Sequence, residues 1–110
     1  MTFLYLDSDQ MGRGDEALGR KLMIAFLRQL HDSGAHVDAI GCVNHSVLLT
    51  TQDGPAAELL ASFAARGTRV ASCGTCLDHL GRREELRVGD VGSMDQTVEI
   101  MTSAERVIRV

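Results

Sequence analysis

The chain of 110 residues is 45% hydrophobic and 24% charged, enough to close one soluble domain around its own core without a covalent staple. A formal net charge of −4, one Tyr, no Trp and basic residues scattered along the chain leave no electrostatic footprint for nucleic acid. The longest uncharged stretch, Ala39 to Gln52, is broken by Asn44, His45 and Ser46, which argues against a membrane span. Met1 to Asp7 lacks the basic lead of a signal peptide, so a cytoplasmic setting is expected.

Thr2 to Leu6 is nearly continuously apolar and predicts a strand buried on both faces of a sheet. Ser8 to Asp15 makes a glycine-rich turn into a helix, with Asp15 as N-cap and Gly34 just past the end. Leu18, Leu22, Phe26 and Leu30 recur every four residues as its core stripe, widened by Met23, Ala25 and Leu27. The Gly12-Arg13-Gly14-Asp15 turn lacks the Lys-Ser/Thr of a P-loop and the full dinucleotide fingerprint, so Asp9 and Asp15 are expected to cap and shape it.

Val37 to Val43 predicts a second strand, and Val47 to Thr50 a short strand or extended edge after the Asn44-His45-Ser46 turn. A helix follows between Pro55 and Gly67, with Leu59, Leu60, Phe63 and Ala64 as its core face. Arg69 to Ser72 is a third strand, ending in Cys73-Gly74-Thr75-Cys76, with one or two helical turns over Leu77 to Leu80 before Gly81. Arg82 to Gly92 reads as an irregular charged connection. Ser93-x-x-Gln96 is a capping box for a last helix with Met94, Val98 and Met101 inward, and Arg106 to Val110 a final strand. Strands alternating with helices imply a three-layer α/β/α domain over residues 1–110, with a mostly parallel sheet of four to five strands.

Three cysteines in a chain of this size argue for reduced thiols rather than a disulfide framework. Cys73 and Cys76 stand where a strand gives way to a helix, an N-terminus expected to lower a thiol from about 8.5 toward 7. Such a thiolate is a nucleophile and a metal ligand. Chemistry in an open α/β sheet collects beyond the carboxyl ends of the strands, which brings Cys42, His45, Cys73, Cys76 and His79 toward one neighbourhood. Cys73 and Cys76 are the candidate catalytic residues. Cys42-x-x-His45 with Cys73-x-x-Cys76 also has the ligand types of a tetrahedral zinc site, provided the loops meet.

The run Asp9 to Gly19, Leu22-Met23, Phe26-Leu27, Asn44 with Val47, Leu49 and Thr50, and Cys73-Gly74-Thr75-Cys76-Leu77-Asp78 resembles the DsrE-like domain of the YedF family. Leu86-x-Val88-Gly89 and Met94 extend the likeness over nearly the whole chain. The resemblance implies a flavodoxin-like DsrE/F fold and a sulfur-relay protein, sulfurtransferase-like, with a persulfide on the third-loop cysteine and a link to selenium metabolism. It further implies a homo-oligomer, no cofactor, and sulfur donor and acceptor proteins, one of them a separate TusA-like protein. Cys73 is then the nucleophile and Cys76 the resolving thiol. Ser46 and Ser93 depart from the Gly and Asn expected of the family. Thiol–disulfide exchange by the CxxC pair, and a zinc-binding or structural oligomeric module, are the alternative functions.

Overall fold

The computed structural model describes all residues, Met1–Val110, as one five-stranded parallel sheet flanked by helices. The strands are β1 (Thr2–Leu6), β2 (Ala39–Cys42), β3 (Arg69–Cys73), β4 (Asp90–Gly92) and β5 (Arg106–Arg109). The helices are α1 (Glu16–Asp32), α2 (Leu48–Thr51), α3 (Pro55–Ala65), α4 (Gly74–His79) and α5 (Met94–Ser103). Strand order is β4-β3-β2-β1-β5, so the chain builds outward from β1 through β4 and then crosses to the other side of β1. No helix is long and apolar enough to cross a membrane.

Register decides which side chains share a face, since alternate residues of a strand point to opposite sides. Leu4 pairs with Ile40, Leu6 with Cys42, Ile40 with Val70 and Cys42 with Ser72. The apolar members of this set join Met23 and Leu27 of α1 and Leu60 and Phe63 of α3 in the main core. The opposite face carries Phe3, Tyr5, Ala39, Gly41, Ala71 and Cys73 and is covered by α5. Its residues are small around Gly41, where an added Cβ would meet the Phe3 ring at 2.8 Å.

Local signals placed most element ends. Asp15 accepts the Leu18 N–H at 2.9 Å, and Gly34, Gly67 and Gly81 take φ of 74°, 95° and 65° just past their helices. Ser93 and Gln96 form both halves of the capping box on α5.

Four expectations fail in whole or in part. The α1 stripe is met in part: Met23 and Leu27 are buried and Phe26 and Leu30 pack against the core, whereas Leu18 and Leu22 are 53% and 43% exposed, Ala25 is exposed, and Gly19 is buried in their place. Gly19 fits that placement, because a Cβ there would meet Gln10 Cβ at 2.9 Å where α1 packs against the preceding turn. Val47 to Thr50 is not extended; a 3₁₀ turn (Asn44–Val47) runs into α2. Buried Ser46 donates to Leu6 O at 2.6 Å and to Val43 O at 2.7 Å, and the Thr50 and Thr51 hydroxyls donate to Val47 O, so side-chain bonds hold β-prone residues in helical turns. The connection after Arg82 contains β4, three residues that pair with Ala71 to Cys73. On α5, Met94 and Val98 are 54% and 52% exposed and Met101 half-buried, while Gln96, Thr97 and Ile100 face the sheet.

Candidate thiol site

Cys73 is the last residue of β3 and the N-cap of α4, with extended backbone at φ −58° and ψ 122°. Gly74 allows the helix to begin at once, since a Cβ there would meet Arg83 Nη2 at 2.9 Å and Val91 Cγ1 at 3.0 Å. Arg83 in turn pairs with Asp78 at 2.6 Å and donates to Gly74 O at 3.4 Å, lacing the two ends of α4 together. That guanidinium holds the Asp78 carboxyl below its ordinary range. Inside, Ser72 and Thr50 share a buried hydrogen bond of 2.6 Å, fixing the end of β3 to α2.

The two thiols face different surroundings. Cys73 is buried and borders a narrow pocket of about 30 Å³ between the sheet and α5, walled by Phe3, Gly41, Ala71, Gln96, Thr97 and Ile100. Cys76, in the first turn of α4, is half-buried and lines an open cleft of about 320 Å³ with Asn44, His45, Thr75 and His79. The Asn44 N–H reaches Cys76 Sγ at 3.2 Å. Burial pushes the Cys76 thiol above its ordinary value, the Asn44 N–H pulls it down, and the neighbouring Cys73 thiol pushes it up by hydrogen bonding and charge. The expected lowering at a helix N-terminus is therefore not met at Cys76: α4 has six residues, too short for a full macrodipole, and desolvation outweighs it.

Cys42 does not join the pair. It lies in the main core, on the opposite sheet face from Cys73, and burial pushes its thiol up to about 12 despite the Ser46 hydroxyl. His45 and His79 are exposed at the Cys76 cleft. No group of three or more His, Cys, Asp or Glu side chains is placed to hold a metal ion. Of the five residues expected in one neighbourhood, Cys73, Cys76, His45 and His79 collect around α4 and Cys42 stays apart.

Three residues at the site were not anticipated there. Tyr5, half-buried, has its phenol pushed up by burial first and then by Asp7, with Arg109 opposing and both Cys76 and Cys73 adding to the rise. Arg109 of β5 donates to Asp7 at 2.7 Å. These groups and the Gly12–Gly14 turn line an open cleft of about 830 Å³ that reaches Asn44 from the other side. It opens between β1 and β5, where the strand order reverses, the place where open α/β sheets bind ligands. The period-two pattern of β1, with Tyr5 next to the strand end, is the sequence signal that could have found Tyr5. As for the loop acids, Asp15 caps α1 as expected, whereas Asp9 Oδ1 is buried without a partner and caps nothing.

The chain is an all-parallel α/β domain with a buried and a half-buried thiol at the carboxyl edge of its sheet, the edge where ligands of open α/β folds collect. Solved structures share this fold along its full length. The ychN protein from E. coli is 15% identical, with all of both chains covered and a TM-score of 0.71. A protein of unknown function, MTH1491 from Methanobacterium thermoautotrophicum, is 21% identical over 99% of this chain and 97% of its own, with a TM-score of 0.66. A conserved protein of unknown function, BT1422 from Bacteroides thetaiotaomicron, is 14% identical over 99% and 94%, with a TM-score of 0.67. No protein-family model and no curated protein sequence matches the chain.

Proposed function

We propose that the chain is a DsrE-like sulfur-relay domain, nearest in its motifs to the YedF family, that carries sulfane sulfur on its CxxC pair. The observation that carries this reading is the placing of two free thiols: Cys73 buried beside a narrow pocket under α5, and Cys76 on an open cleft. In the first step the Cys73 thiolate attacks the outer sulfur of a donor persulfide, forming Cys73–S–SH and releasing the donor thiolate. The Cys76 thiolate then attacks Cys73 Sγ, closing a disulfide and releasing HS⁻, or attacks the outer sulfur and takes it to the cleft for an acceptor. Donor and acceptor are separate proteins, a TusA-like protein among them, acting on a cytoplasmic homo-oligomer.

The same pair suits thiol–disulfide exchange, since both thiols are free and Cys73 is near enough to perturb the ionisation of Cys76. The zinc alternative draws no support, because Cys42 is on the wrong face of the sheet. Intact-protein and peptide mass spectrometry after incubation with a persulfide donor tests the reading. Cys76→Ser should gain and keep about 32 Da, one sulfur atom, on Cys73, wild type should show that adduct or its resolution by Cys76, and Cys73→Ser should show neither. A Cys73→Ser variant modified as readily as wild type moves the nucleophile to Cys76. No uptake by any of the three leaves the redox alternative standing.

A further inference from the structure

We infer that Asn44 is a positioning residue of the thiol site: its left-handed backbone lets the chain turn away while the Asn44 N–H stays on Cys76 Sγ, a bond that favours the reacting thiolate of Cys76. Asn44 is the one non-glycine residue with positive φ, at 54°, and it follows Val43, which is fully extended at φ −130° and ψ 159°. Rotation about the Asn44 N–Cα bond throws the chain straight into the Asn44–Val47 turn while leaving the Val43–Asn44 peptide plane as β2 set it. Its N–H thus stays outside the helical ladder and meets a sulfur 32 residues away, on another element, at 3.2 Å. An ordinary side chain resists this conformation; asparagine tolerates it better than any residue but glycine. Unpopular backbone of this kind is retained where surrounding structure requires it, and here it serves a bond to the accessible thiol.

The other groups facing Cys76 do not supply that support. Cys73 on β3 opposes its ionisation, Tyr5 on β1 is itself made harder to ionise by the two thiols, and His45 and His79 stand exposed along the cleft. The Asn44 N–H is the contact that favours the thiolate. This deepens the proposed role of Cys76 as the attacking thiol and rests on it for its meaning. The test uses iodoacetamide and no sulfur donor, so it fails or succeeds apart from persulfide transfer.

The rate of Cys76 alkylation is followed by peptide mass spectrometry from pH 6 to 11 in wild type, Asn44→Gly and Asn44→Val. Glycine keeps both the left-handed backbone and the N–H, so its midpoint should coincide with wild type. A β-branched valine leaves the left-handed region, and its midpoint should rise by about one pH unit. At fixed pH below the midpoint the rate then falls by about threefold rather than tenfold, because the more basic thiolate is the better nucleophile. A valine midpoint equal to wild type, or a glycine midpoint displaced as far as the valine one, overturns the inference. Should Asn44→Val not fold, the Asn44 amide resonance of wild type decides: it must shift across the Cys76 midpoint, and an amide unmoved by that titration refutes the bond.

Discussion

Substituting the two hydroxyls that join β3 to α2 should give unequal costs, and the direction of one hydrogen bond decides which is larger. Ser72 and Thr50 are fully buried and their oxygens lie 2.6 Å apart. Thr50 spends its single proton on Val47 O at 3.1 Å, so Ser72 must be the donor of the shared bond. Ser72→Ala therefore removes a donor and orphans none, and should cost about 1 kcal/mol, a Tm loss of about 4 °C. Thr50→Val keeps shape and volume but strands the buried Ser72 hydroxyl, and should cost about 2 to 3 kcal/mol. The double variant strands nothing, because Val47 O still receives the Thr51 hydroxyl at 2.8 Å. Its cost should fall short of the sum of the singles by about 1 kcal/mol or more. Urea unfolding of the four proteins at constant m measures all three numbers. Costs that simply add, or a serine variant hurt as badly as the valine one, would show that the bond runs the other way or is not formed.

Two further outcomes follow from burial. The Cys42 thiol, at about 12 when folded against about 9 when exposed, binds its proton more tightly in the native state, so its contribution to stability is complete below pH 9 and is lost as pH rises toward 12. Unfolding free energy should decline over that window by up to about 1.4 kcal/mol per pH unit, and Cys42→Val should flatten the slope; an unchanged slope in that variant refutes the assignment. Self-association is expected from the edge strands β4 and β5 and from exposed Val91, Met94, Val98 and Val107. Light scattering at micromolar concentration should give a mass above 11.9 kDa, reduced by Val98→Asp, and a monomer in wild type counts against it.

The parts of the fold legible in the sequence are those whose cause is local. Asp15, Gly34, Pro55, Gly67 and the Ser93–Gln96 box act within one turn of themselves, and each element end they mark is where the chain places it. The failures have non-local causes. Val47 to Thr51 is β-prone by residue type, yet Ser46 is anchored to Leu6 O, 40 residues earlier, and the threonines turn inward to bond the helical backbone. β4 is three residues long, too short to show alternation, and is a strand only because β3 lies beside it. On α1 the apolar row turns outward only at its first two leucines, where Gly19 packs inward against Gln10 instead.

The site divides in the same way, and a single residue of register explains why one strand-end cysteine faces the second thiol and another faces the core. Cys42 and Cys73 both end an inner strand at the same edge of the sheet, and by residue type and position alone they are equivalent. The pairing of Cys42 with Ser72 leaves Cys73 one residue further along, and one step along a strand reverses the face. Cys42 thereby falls among Leu4, Leu6 and Val47, where no anion can be accommodated, whereas Cys73 turns toward Tyr5, Cys76 and the pocket beneath α5. β5 adds the rest from the far end of the chain: Arg109 pairs with Asp7 across 102 residues, setting a charge pair beside Tyr5 at the reversal of strand order. Asn44 stands between that cleft and the one at Cys76, lining both. The β1–β5 cleft thus approaches the thiols from their Tyr5 and Asn44 side. For that reason the surroundings of Cys76 depend on residues brought together by the order of the strands, and the CxxC spacing alone could not supply them.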